Sequence, residues 1–181
     1  MSDLSRMRSI GINVFLIVTA ATILYSQLSS ALDTRAAALR PGDNLPPLAG
    51  IDFSTNDRTL VIAVRAGCPF AEHSMPFYRR IAELKRRRAT TAGLAVVSPD
   101  SEGVSRNLLR IHDVDIPAAP ATPLSSLKLH WTPTLVLANR AGIVLRVWEG
   151  ELSPAAQSDV LAAIGVPGLE RTLGAAEWGR R

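Results

Sequence analysis

The sequence predicts an α/β domain with a central mixed β-sheet flanked by helices, preceded by one N-terminal transmembrane helix. The domain is predicted by apolar, β-branched runs that alternate with amphipathic stretches after residue 58, and by two later apolar runs that a short turn joins. The transmembrane helix is predicted by residues 9–32, which contain no Asp, Glu, Lys, Arg or His. With 181 residues, the chain has room for one globular core and this apolar segment.

The apolar segment at residues 9–32 exceeds the about 20 residues that a helix needs to cross a bilayer. Arg6 and Arg8 precede it, so the positive-inside tendency keeps residues 1–8 in the cytoplasm and exports the rest. A cleaved signal peptide is the alternative, because residues 29–31 are small and offer a cleavage site. We expect a single-pass protein of the bacterial inner membrane, with its domain in the periplasm or outside.

The stretch between the membrane segment and the domain is polar, rich in alanine and interrupted by prolines. Residues 33–47 therefore predict a linker. Residues 48–53 predict a short edge strand at the start of the domain. The domain is expected over residues 48–165, and residues 166–181 form a C-terminal tail without an assigned element.

The first β–α unit of the domain contains the cysteine. Residues 59–64 form a continuous apolar run, which is typical of a strand buried on both faces. Residues 69–88 predict a helix that Pro76 is expected to kink. The apolar face of this helix is predicted to comprise Phe70, Phe77, Ile81 and Leu84.

A second β–α unit follows. Residues 94–97 predict a buried strand parallel to the first, and Ser101 is expected to cap a helix that begins near Glu102. The core face of this helix is predicted to comprise Val104, Leu108 and Ile111.

The last third of the domain predicts an antiparallel hairpin and a final helix. The expected elements are a loop at 114–123, a short helix at 124–129, strands at 132–137 and 143–148 around a turn at 139–142, and a helix from Ser153 and Pro154 to about Ile164.

Cys68 is the one cysteine of the chain, and it lies between the first strand and the first helix. Pro69 is favoured at a first helical position, which places the sulfur at a helix N-terminus. Unpaired N–H groups and the positive end of the helix dipole stabilise a thiolate there. The alternative is that Cys68 is only a small buried apolar residue.

These elements resemble the membrane-anchored thiol–disulfide oxidoreductases of the TlpA/ResA type, which have a thioredoxin-like fold. The resemblance covers residues 41–164 and rests on Cys68-Pro69-Phe70-Ala71 at the helix start, Pro76 eight residues after the cysteine, and Thr132-Pro133-Thr134 before the third strand. It implies that Cys68 is the nucleophile. It also implies that Thr132 and a cis Pro133 lie against the cysteine and bind substrate.

Two residues depart from this family. Ala71 stands where the family has its second cysteine, and Gly67 stands where it usually has tryptophan. A dithiol cycle within one chain is therefore excluded, and a mixed disulfide on Cys68 requires an external thiol for its release. One alternative is a non-catalytic binding or chaperone-like module in which Cys68 is vestigial. A peroxidase is disfavoured, because Arg65 stands where peroxiredoxins have threonine.

Three further side chains are candidates near the site. Arg65 is close enough in sequence to stabilise the thiolate. Trp131 either lines a substrate groove beside Cys68 or belongs to the core. His73 lies about 140° around the helix from Cys68, which predicts an exposed residue that points away from the sulfur.

The expected partners follow from this chemistry. They are exported proteins with thiols or disulfides, an external thiol reductant or resolving partner, and the membrane through the N-terminal helix. Neither a cofactor nor a metal is expected, because His112 and His130 have no carboxylate or cysteine cluster at ligand spacing. Nucleic acid is not expected either, because the net charge of +4 is small and spread along the chain.

Overall fold

The computed structural model describes residues 38–167, and within them four strands form one mixed sheet that three α-helices flank. The elements are β1 (Arg58–Ala63), α1 (Pro69–Arg86), β2 (Gly93–Val97), α2 (Glu102–Ile111), β3 (Thr134–Asn139), β4 (Val144–Glu149) and α3 (Pro154–Ala163). The strand order is β2-β1-β3-β4. β1 pairs with β2 in parallel, whereas β1–β3 and β3–β4 are antiparallel. The predicted mixed sheet is confirmed.

The two central strands, β1 and β3, carry buried side chains on both faces of the sheet. Leu60 and Ile62 pack on one face against all three α-helices. Val61 and Ala63 pack on the other face. Successive strand residues point to opposite faces, so a continuous apolar run serves both cores.

Local capping signals place the helices where the sequence predicts them. The side chain of Ser101 accepts from the backbone N–H of Val104 at the start of α2, and that of Ser153 accepts from the N–H of Ala156 at the start of α3. Each bond satisfies one of the donors that a helix N-terminus leaves unpaired. α1 continues through Pro76 and ends with Lys85 and Arg86 in its last turn.

The predicted linker at residues 33–47 is too long. Leu39 and Leu45 are buried, and the compact unit begins at Leu39. The N–H of Leu39 donates to the carbonyl of Lys128 at 3.2 Å, and that of Leu45 donates to the carbonyl of Gly142 at 2.9 Å. Residues 39–47 belong to the domain because their leucines cover the sheet face opposite the α-helices.

The predicted edge strand at residues 48–53 is also wrong. Leu48 and Ile51 form only an isolated bridge, and a 3₁₀ helix follows at Phe53–Thr55. The side chain of Asp52 accepts from the N–H of Ser54. This local bond offers the backbone an alternative to a strand ladder.

The predicted loop at residues 114–123 is partly ordered against the sheet edge. The N–H of Val96 donates to the carbonyl of Pro117, and the N–H of Ala119 donates to the carbonyl of Val96, both at 2.8 Å. Ala118 thereby forms a parallel bridge beside β2. This bridge covers backbone groups that an edge strand would otherwise expose.

The core face of α2 differs from the prediction. Val104 and Ile111 are 46% and 58% exposed, and the buried residues are Ser105, Leu108 and Leu109. Leu108 is shared by the predicted face and by the face that is buried. Periodicity alone therefore does not decide which of these two faces of the helix packs against the sheet.

The sheet register brings two distant segments together. Ala63, the last residue of β1, pairs with Thr134, the first residue of β3, in the antiparallel ladder. The segment that follows β1 and the segment that precedes β3 therefore lie side by side at the same end of the two central strands.

The predicted transmembrane segment at residues 9–32 and most of the tail at 166–181 lie outside the described residues. Between residues 38 and 167, no helix is long and apolar enough to cross a membrane.

Candidate functional site

A tight turn delivers the chain from β1 to the cysteine. The N–H of Cys68 donates to the carbonyl of Arg65 at 3.3 Å, which closes a β-turn over residues 65–68. Gly67, at the third position, has a φ of 72°, in the left-handed region that this position of a type II turn requires. A Cβ at Gly67 would meet no atom within 4 Å. Backbone conformation rather than crowding therefore favours glycine.

The turn is fastened to the end of β2. The N–H of Ala66 donates to Oδ2 of Asp100 at 2.7 Å. The same carboxylate oxygen accepts from Oγ of Ser98 at 2.9 Å. The segment that directly follows β2 thus supplies the anchor for the loop that precedes Cys68.

Cys68 is the N-cap residue of α1, and Pro69 occupies the first turn. The thiol is half-buried and donates a hydrogen bond of 3.3 Å to the carbonyl oxygen of Thr132. The Thr132–Pro133 peptide bond is cis, as the resemblance implied. The segment before β3 therefore lies directly against the sulfur.

The surroundings of the sulfur make it more acidic than a free thiol. Burial raises the pKa of Cys68, but the Thr132 side chain, the backbone N–H groups of Ala71 and Phe70 and the Arg65 guanidinium lower it, and the balance is a pKa below the usual thiol value. The bond to the Thr132 carbonyl belongs to the neutral thiol, because a thiolate has no proton to donate. The N–H groups at the helix N-terminus stabilise the thiolate once it forms.

The position three residues after the cysteine offers no second reactive group. Ala71 is fully buried in the core cluster that also contains Met75 and Tyr78. The Tyr78 hydroxyl is buried and makes no hydrogen bond, while Oγ of the neighbouring Ser74 donates to the carbonyl of Phe70. Burial raises the pKa of Tyr78 most strongly, the nearby Ser74 hydroxyl lowers it in part, and Cys68 raises it.

Two exposed aromatic residues are close in sequence to Cys68 and Thr132, the two residues joined by the hydrogen bond at the sulfur. Phe70 is 58% exposed two residues after Cys68, and Trp131 is 67% exposed immediately before Thr132. The core alternative for Trp131 is therefore wrong, and so is the assignment of Phe70 to the core face of its helix. Phe70 sits in the first turn of α1, directly before the fully buried Ala71.

The remaining candidates lie apart from the sulfur. His73 is exposed, as predicted, and its Nδ1 lies 3.6 Å from Oε2 of Glu151. No group of three or more His, Cys, Asp and Glu side chains within residues 38–167 is arranged to hold a metal.

Comparison with known proteins gives matches among solved structures. No family model and no curated protein matches the chain. A protein of Chlorobium tepidum assigned as the thiol:disulfide interchange protein DsbE is 21% identical, with a TM-score of 0.55 over 71% of this chain and 100% of that one. The thioredoxin domain of a Bacteroides vulgatus thiol-disulfide oxidoreductase is 17% identical, with a TM-score of 0.55 over 70% of this chain and 98% of that one.

A third structure, a thio-disulfide isomerase from Thermus thermophilus, is 17% identical, with a TM-score of 0.54 over 71% of this chain and 99% of that one. The chain has a thioredoxin-like fold. Within this thioredoxin-like domain, the structure brings four of the predicted site residues together at one end of the central strands β1 and β3: Cys68, Pro69, Thr132 and Pro133. Arg65 lies in the turn that precedes Cys68.

Sequence reasoning missed Asp100 in this thioredoxin-like site. The run Ser98-Pro99-Asp100 indicates only the end of a strand. The bond from Ala66 to Asp100 joins residues that are 34 positions apart, so no local pattern predicts it.

Proposed function

We propose that the chain is a membrane-anchored, exported thioredoxin-like protein that uses Cys68 for single-cysteine thiol–disulfide exchange with exported proteins. One observation carries the proposal. The sulfur lies at the N-terminus of α1 with a lowered pKa, 3.3 Å from the carbonyl that precedes the cis proline. A low thiol pKa raises the thiolate fraction, and the thiolate is the form that attacks disulfides.

The similar structures support the same chemistry. They are named as a thiol:disulfide interchange protein, a thiol-disulfide oxidoreductase and a thio-disulfide isomerase. This chain shares their fold and retains one cysteine at the start of the helix that follows β1.

The exchange reaction is a nucleophilic substitution at sulfur. The Cys68 thiolate attacks one sulfur of a partner's disulfide; the partner's S–S bond breaks as a new S–S bond to Cys68 forms, and the other partner sulfur leaves as a thiolate that takes up a proton. Ala71 supplies no second thiol. The mixed disulfide therefore persists until the thiol of another molecule attacks it and regenerates Cys68.

Named residues have roles in this scheme. Arg65 stabilises the thiolate, since it is among the groups that lower the pKa of Cys68. Pro69 begins the helix whose N–H groups face the sulfur. The half-buried Thr132 and the exposed Trp131 form the surface on which the partner's polypeptide binds, and the buried cis Pro133 fixes the backbone beneath it.

The location of the protein is proposed from its sequence. Residues 9–32 anchor the chain in the inner membrane. The excess of basic residues before them favours a domain on the periplasmic side.

The test uses the full-length protein and a Cys68→Ser variant, each incubated with exported proteins and quenched with acid. We expect the wild type to form adducts that a reductant releases on a gel, and the variant to form none. Equal capture by both proteins would instead indicate a binding module with a vestigial cysteine. If the rate of thiol alkylation has its midpoint at about pH 8.5, the pKa of an unperturbed thiol, this result would also contradict the proposal.

A further inference from the structure

Asp100 occupies a position that the exchange chemistry does not use directly. It follows β2, and its Oδ2 accepts from the backbone N–H of Ala66 at 2.7 Å. Hydrogen bonds from N–H groups to carboxylates are shorter and stronger than those between neutral groups. This bond is the side-chain contact that holds the corner of the turn before Cys68.

The carboxylate of Asp100 is itself held in place. Ser98 is 2% exposed, and its hydroxyl donates to Oδ2 of Asp100 at 2.9 Å. The N–H of Asp100 returns a bond of 3.2 Å to the same hydroxyl. One bond to the carboxylate and one to the backbone of Asp100 therefore fix this residue relative to the buried Ser98, which directly follows β2.

The turn that Asp100 holds determines where the sulfur lies. Ala66 and Gly67 are the two central residues of the turn that the N–H of Cys68 closes on Arg65. If Ala66 lost its acceptor, its half-buried N–H would be left unpaired, and the turn would relax to satisfy it. Cys68 and the Arg65 guanidinium would then move relative to the N-terminus of α1 and to Thr132.

We propose that Asp100 is a positioning residue for Cys68: by fastening the turn to the end of β2, it holds the sulfur at the N-terminus of α1 and against Thr132. This proposal rests on the proposed function of Cys68 and adds to it a residue that acts through the backbone. Asp100 touches neither the sulfur nor a substrate in this role.

The test measures the rate of Cys68 alkylation against pH in the full-length protein. We expect Asp100→Ala to raise the midpoint by about one pH unit, a tenfold loss of thiol acidity. Asp100→Asn keeps an oxygen that can accept from Ala66, so its midpoint should stay near that of the wild type. Asp115→Ala, which removes an exposed carboxylate from the loop after α2, is the control and should change nothing.

The sign of the shift separates positioning from direct electrostatics. Removal of a negative charge near the sulfur would lower the pKa of the thiol, whereas loss of its position raises it. A lowered or unchanged midpoint in Asp100→Ala overturns the proposal, and so does an Asp100→Asn shift equal to that of Asp100→Ala. If Asp100→Ala fails to fold, Ser98→Ala replaces it; a smaller rise supports the proposal, and no rise overturns it. The absolute midpoint of the wild type tests the proposed function, while the differences between variants test the role of Asp100.

Discussion

Ala71→Cys should convert the single-cysteine site into one that releases its own mixed disulfide. Ala71 lies three residues after the N-cap cysteine, the spacing of the Cys-X-X-Cys motif at helix N-termini. Wild-type Cys68 should release one equivalent of thionitrobenzoate from Ellman's reagent and retain the other half. In the variant, the second thiol should attack this adduct, close a disulfide within the chain and release a second equivalent.

The structure sets the size of the stability change. Ala71 is fully buried, so the added sulfur overpacks the core at a cost of about 1–3 kcal/mol. Closure of a four-residue loop by a disulfide returns only about 2 kcal/mol. The oxidised variant should therefore unfold near the wild-type temperature, and the reduced variant should be the less stable form by about 2 kcal/mol.

Matched variants make this result interpretable. Ala71→Ser adds a small atom without a thiol and should still release one equivalent. The double variant Cys68→Ser/Ala71→Cys should react slowly, because its thiol is buried. A folded Ala71→Cys protein that releases only one equivalent would refute the placement of residues 68 and 71 at the start of one helix.

Three further predictions concern single side chains. Trp131→Ala should slow the capture of protein disulfides and change the free energy of unfolding by less than about 0.5 kcal/mol, because the side chain is 67% exposed; an unchanged capture rate would remove Trp131 from the binding surface. Because the folded-state pKa of Cys68 is lowered, its ionisation stabilises the fold fully above the unfolded thiol pKa, and this contribution is lost as pH falls through the folded pKa. The free energies of unfolding in urea of the wild type and Cys68→Ser should therefore diverge as pH rises. A difference that stays constant with pH would contradict the lowered pKa of Cys68. Tyr78→Phe should stabilise the protein by about 1 kcal/mol, because it removes a buried hydroxyl without a partner; calorimetry that shows a loss would mean that the hydroxyl is hydrogen-bonded.

The parts of the fold that local signals determine were predictable from sequence. Continuous β-branched runs indicated the central strands, and Ser101 and Ser153 marked helix starts because an N-cap bond spans only three residues. The same holds for the cysteine, since Pro69 after Cys68 already indicates a helix N-terminus. These features depend only on residues that are near one another in the sequence.

The parts that depend on distant contacts were not predictable. The leucines of residues 39–47 suggested no element, and they are buried against the sheet face opposite the three α-helices of residues 38–167. Asp100 gave no signal, because its acceptor role exists only once β1 and β2 pair. Val104 and Ile111 fit the helical period as well as the buried residues do, and the neighbouring elements decide which stripe is covered.

The register between β1 and β3 also bears on how the protein is made. Cys68 and Thr132 are 64 residues apart and meet only because Ala63 pairs with Thr134. A nascent chain exposes the cysteine well before Thr132 has been synthesised, and its thiol then lacks the Thr132 group beside it. The part of the lowered pKa that Thr132 contributes arises only when β3 pairs with β1, so the rate of thiol labelling during synthesis should rise at that step.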